Sequence, residues 1–152
     1  MHDVSESAPV VVAALLGWWE INGRRDPAQK PWMFTPAGLW PTAAEALDPY
    51  GIWIAEVMLQ QTQLAVVLPY WQRWMEAFPT VDVLATASLD EVRLRWQGLG
   101  YYSRARRLHE AAQILVGRPW PRTLEGWMTL PGIGRTTAGS ILSSAFNAPL
   151  PR

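Results

Sequence analysis

Leu130-Pro131-Gly132-Ile133-Gly134-Arg135-Thr136-Thr137-Ala138 is the stretch on which the fold turns, because it joins two helical patterns through a four-residue hairpin. Two glycines let the backbone reverse and approach a partner closely. The amides that open the following helix then point outward, where they can hold an anion. An ordinary glycine-capped turn between helices has the same outline, but the full Leu-Pro-Gly-Ile-Gly spelling favours the anion-binding form.

Working outward, helical periodicity predicts helices over Leu124 to Leu130 and Arg135 to Phe146 on either side of the hairpin. Upstream, Tyr101 to Val116 reads as a helix that Gly117, Pro119 and Pro121 end, and Gly98-Leu99-Gly100 as a tight turn before it. Ser88 and Glu91 spell a capping box for a helix ending at Gln97-Gly98, and Thr80 introduces a short helix near Val81 to Thr86. Pro49 suits a first helical turn, so a helix is predicted from there to about Gln61. Thr62 is expected to cap the next helix, through Phe78, with some bending at Pro69. Nothing alternates with period two for long enough to insist on a strand, so the class is all-α. Val10 to Ile21 is a further helix that stops near Asn22-Gly23, and Arg24 to Asp48 is an irregular connection long enough to suggest an insertion. The expected organisation is an N-terminal helix within 1–23, a connection over 24–48 and a helical region over 49–152.

Within that helical region one carboxylate stands out. Glu56 is the only formally charged residue between Asp48 and Arg73, and it sits among Ile52, Trp53, Ile54, Val57, Met58 and Leu59. A helix there makes the carboxyl group emerge from a packed surface, where burial disfavours ionisation and raises the pKa. A carboxylic acid that keeps its proton near neutral pH is suited to general-acid chemistry.

Composition narrows the classes. The 152 residues are 49% hydrophobic and 17% charged, as in a folded domain. Net charge is zero, so bulk charge does not point to nucleic acid. Distribution does: Arg93, Arg95, Arg104, Arg106 and Arg107 lie close together with Glu110 as their near opponent, a set that can meet phosphates or form a solvated helix face. With no cysteine, these residues form no disulfide and supply no thiolate to a metal. His2 and His109 make no metal constellation, and His109 reads as structural. The start lacks the basic region of a secretory signal, and the apolar runs fall short of a membrane span, so a cytoplasmic protein is expected.

The hairpin, the run Trp53-Ile54-Ala55-Glu56-Val57-Met58-Leu59-Gln60-Gln61-Thr62-Gln63 and the run Gly98-Leu99-Gly100-Tyr101-Tyr102-Ser103-Arg104-Ala105-Arg106 together closely resemble the MutY-type adenine DNA glycosylases. These belong to the helix-hairpin-helix superfamily that also holds endonuclease III. The resemblance runs from Pro49 to Arg152 and implies a six-helix barrel with a helix-hairpin-helix motif, incomplete at its C-terminus. The implied activity is excision of adenine mispaired with 8-oxoguanine or G, by a monomer acting on duplex DNA through a flipped base. In family terms Glu56 protonates the adenine ring. Trp32, Leu59, Gln60, Gln61, Thr62, Leu99, Tyr101 and Thr136 match positions around the adenine and the lesion pair, Tyr101 as a wedge in the base stack. Gly132, Ile133, Gly134, Arg135, Thr137, Arg104 and Arg106 are the expected DNA-backbone contacts. Where endonuclease III-like enzymes have the lysine used for strand cleavage, Thr136 has no amine, which implies a monofunctional glycosylase.

The same resemblance implies parts expected beyond Arg152: a catalytic aspartate, the cysteines of a 4Fe-4S cluster and a domain recognising 8-oxoguanine. The chain is therefore expected to be a fragment that touches DNA without completing the reaction. Two other readings remain: a non-catalytic helix-hairpin-helix DNA-binding module, and another mismatch or oxidised-pyrimidine glycosylase, against which Glu56 and Gln60-Gln61-Thr62 argue.

Overall fold

The computed structural model describes residues 31–33 and 48–146. The helix expected over Val10 to Ile21 and nearly all of the 24–48 connection lie outside the described residues. Among those described there are seven α-helices, one 3-10 turn (Pro31–Met33) and no strand, in agreement with the all-α expectation.

Helix α1 (Pro49–Leu59) is the axis of the assembly, with eight of its eleven residues buried. A helix apolar on nearly every side needs neighbours all round. It finds them in α2 (Leu64–Ala77), α5 (Ser103–Leu115), α7 (Arg135–Phe146) and the 3-10 turn. Its start is set by Asp48, whose carboxylate accepts from Tyr50 N at 3.0 Å, with Pro49 at the first position. Buried Tyr50 donates to Phe78 O at 2.5 Å and accepts from Trp74 Nε1 at 3.2 Å. Burial pushes its phenol above the usual range, the Trp74 hydrogen bond opposes this, and Asp48 adds to it.

Around α1, α3 (Val81–Thr86) and α4 (Leu89–Trp96) pack on α5, and α6 (Leu124–Met128) packs on α7. The capping box of α4 forms as expected, with Ser88 Oγ accepting from Glu91 N at 3.1 Å and Glu91 accepting from Ser88 N at 2.9 Å. Tryptophans fill the centre. Trp74, Trp96 and Trp127 are wholly buried, Trp74 meeting Trp96 edge-on at 5.8 Å and Trp127 stacking on Trp120 at 5.9 Å.

Two helix starts differ from the sequence reading, each for a local reason. The cap of α2 is Gln63, not Thr62, whose hydroxyl is engaged elsewhere. Helix α5 begins at Ser103 because Tyr101 has φ 51°, outside the helical region. Tyr102 is exposed, and its Oη accepts from Gly98 N at 3.4 Å.

Candidate active site

Helix α1 ends where the chemistry is expected. Glu56 is half-buried on its last full turn, flanked by the buried Ala55 and Val57. One turn on, along the same face, Gln60 Nε2 donates to Gly132 O at 3.3 Å and to Thr137 Oγ1 at 3.0 Å. The carboxyl-bearing turn, the hairpin and the first turn of α7 are thereby tied together.

Beyond Gln60 the chain takes a conformation that side chains seldom adopt. Gln61 has φ 60° and Tyr101 φ 51°, the two non-glycine residues with positive φ among those described. Such backbone persists where its surroundings hold it, and it gathers at functional sites. What holds both is Arg104. Its Nη1 donates to the carbonyls of Val57 (3.2 Å), Met58 (3.0 Å) and Gln60, and its Nη2 to Thr62 Oγ1 (3.1 Å), Leu99 O (3.4 Å) and Gly100 O (3.3 Å). The guanidinium also lies 5.0 Å from the Trp96 ring centre and 5.5 Å from that of Tyr101. A cation against the last carbonyls of α1 is favoured by the helix dipole. Burial pulls the Arg104 pKa below its ordinary value, while Tyr101 acts in the opposite sense.

Arg104 is therefore a correction. Expected to contact the DNA backbone, it is 6% exposed and its Nη groups are committed to the two loops. The apolar stripe of α5 (Ala105, Leu108, Ala111, Ala112, Leu115) contains its position, so helical periodicity could have assigned it inward. Arg106 sits on the outer face and lies 3.9 Å from Glu110.

Tyr101, at 64% exposure, and Gln61 project from the surface, and Thr62, Leu59 and Gln60 are half-buried beside them. Two other expected recognition residues do not join this surface. Leu99 is buried and gives its carbonyl to Arg104, and Trp32 is 5% exposed with its ring centre 5.2 Å from that of Trp71. Apolar packing has drawn both side chains into the core.

At the hairpin, Gly132 has φ 82°, a conformation glycine tolerates. The Ile133 side chain is buried and its amide donates to Leu130 O at 3.3 Å within the turn. A Cβ on Gly134 would meet nothing within 4 Å, which leaves this side open to a partner. Arg135 and Thr136 are exposed at the start of α7, where the first amides have no intrahelical acceptor. A small cavity lies behind the hairpin, lined by Val57, Gln60, Arg104, Arg107, Leu108, Pro131 and Gly132.

The profile of the HhH-GPD superfamily base excision DNA repair proteins matches residues 54–142, the segment from the Glu56 helix through the hairpin into α7. The chain belongs to that superfamily. Over 102 residues it is 55% identical to adenine DNA glycosylase of Rattus norvegicus, covering 64% of this chain and 20% of the rat protein. Over 141 residues it is 38% identical to adenine DNA glycosylase of Buchnera aphidicola subsp. Baizongia pistaciae, covering 91% of this chain and 36% of that one. The chain thus spans between a fifth and about a third of these relatives' length. Among solved structures, a non-covalent endonuclease III–DNA complex superposes with TM-score 0.64 at 25% identity, over 86% of this chain and 60% of that one.

As a member of the HhH-GPD superfamily the chain has an all-helical frame, with a carboxylate helix tied to a hairpin. A 4Fe-4S cluster does not fit the residues present. The sequence has no cysteine, and among the described residues no three His, Asp or Glu side chains converge on a metal position. No described helix is long and apolar enough to cross a membrane.

Proposed function

We propose that this chain carries the proton-donating part of an adenine DNA glycosylase, one that hydrolyses the bond between sugar and adenine where adenine is mispaired with 8-oxoguanine or G. The observation that carries the proposal is the tie from Gln60 to Gly132 O and Thr137 Oγ1, one turn beyond Glu56. Acid and hairpin belong to one rigid unit, so a strand docked on the hairpin holds a flipped base in fixed relation to the carboxyl group.

In this reading Glu56 gives its proton to the adenine ring and the electron pair of the glycosidic bond leaves with the base. Water then adds to the sugar carbon and loses a proton, which restores Glu56 to its acid form. Gln61, Thr62 and Leu59 meet the lesion pair and the adenine. Tyr101 enters the space beside the lesion, where an aromatic contact is worth roughly 1–3 kcal/mol per stacked base. The Gly132 and Gly134 turn, with Arg135 and Thr137, meets the strand backbone, a contact that positions without reading sequence. Thr136 offers no amine, so the base is removed without strand cleavage. An aspartate on residues that follow Arg152 is part of the proposal, as stabiliser of the sugar cation, and the protein acts as a cytoplasmic monomer.

The test uses a duplex with A opposite 8-oxoguanine and a chain that continues through that aspartate. Free adenine and an abasic, unbroken strand are expected, with A opposite T left untouched. Strand breaks formed at the rate of base release, or no release from the mispair, would contradict the reading.

A further inference from the structure

We propose that Arg107 binds a phosphodiester of the DNA strand seated on the hairpin, in the place that sequence gave to Arg104 and Arg106; this rests on the DNA-binding reading above. The positive φ of Gly132 points the site of its missing Cβ at Arg107. That position lies 3.1 Å from Arg107 Cδ, 3.2 Å from Cβ and 3.7 Å from Cγ. The arginine stem thus lies along the glycine backbone in space that any other residue at 132 would contest. Its guanidinium begins one bond beyond Cδ, so it is delivered to the hairpin.

Neighbouring arginines do not compete for this role. Arg104 is buried on loop carbonyls, and Arg106 points about 100° further round α5, toward Glu110 at 3.9 Å. Arg107 is exposed, and among the described residues its guanidinium has neither an ion-pair partner nor a hydrogen-bond acceptor. Its stem is already laid down by packing, so holding a phosphate orders little further side chain. The hairpin then offers two kinds of recognition. Outward amides at the start of α7 give direction, and a planar cation beside them gives charge and a forked pair of donors.

Counterion release makes this measurable. Each phosphate neutralised by a cation contributes about 0.9 to the slope of log affinity against log salt on duplex DNA. With this chain and a duplex bearing A opposite 8-oxoguanine, Arg107→Gln is expected to lower the slope by about 0.9 and Arg107→Lys to retain it. Arg106→Gln is expected to leave it unchanged. Thermal melting checks that the folds are equal, and Arg107→Lys supplies the charge comparison if the Gln variant is unstable. Binding by Arg107→Gln with the unmodified slope overturns the assignment, as do equal losses in the Arg106 and Arg107 variants. If the unmodified chain binds no duplex at all, the DNA-binding reading falls and this site with it.

Discussion

Arg104 shows how one side chain can hold two loops that each look independent in sequence. Its donors span the end of α1, Thr62 and the Leu99-Gly100 turn, so removing it leaves several inward-facing carbonyls without donors. Leaving a buried polar group unpaired costs about 1–3 kcal/mol, and hydrogen bonds from a charged group are the strong ones. Arg104→Met is therefore expected to destabilise the fold by roughly 3 kcal/mol, read as a lower denaturation midpoint in urea. Hydrogen exchange should quicken at 60–62 and at 99–101 together. Faster exchange at one loop alone would show that the arginine does not couple them. Glu56 was legible as a candidate because its charge is alone in an apolar run. Arg104 was misassigned because its type and its neighbours suggested phosphate, whereas its register on α5 put it on the buried stripe.

Among the elements, the α1 axis and the hairpin were the most legible, since apolar periodicity and glycine chemistry are written into local sequence. Helix α7 runs over Arg135–Phe146 as read, and the Ser88 capping box forms as spelled. Less legible were features set by contacts distant in sequence. Tyr101 is turned out of the helix beside carbonyls held by an Arg104 that also holds the α1–α2 loop, and Trp32 and Leu99 are drawn inward by packing partners that no short motif names. The hairpin itself carries a sharp expectation. Gly132→Ala must place a Cβ at φ 82° and 3.1 Å from Arg107 Cδ. A left-handed residue costs about 1–2 kcal/mol. A loss of that size in stability is expected, along with weaker DNA binding because the Arg107 stem is displaced. Unchanged melting and unchanged affinity would show that the turn is not built as described.

At the scale of the whole molecule, a single apolar helix is surrounded by its neighbours, and its C-terminal end is fastened to a hairpin and to a strained loop. The described residues thus join a carboxylate on a packed helix to a glycine hairpin through Gln60, with an exposed tyrosine on positive-φ backbone nearby in the Arg104-held loop. The central claim is that Glu56 supplies the proton on which base departure depends. Single-turnover release of adenine from A opposite 8-oxoguanine, compared between the unsubstituted protein and Glu56→Gln in a chain carrying the aspartate segment, tests this most directly. The account predicts that the variant binds the duplex with unaltered affinity and releases adenine at least about 100-fold more slowly, the scale of general-acid catalysis; release at the unsubstituted rate would contradict it.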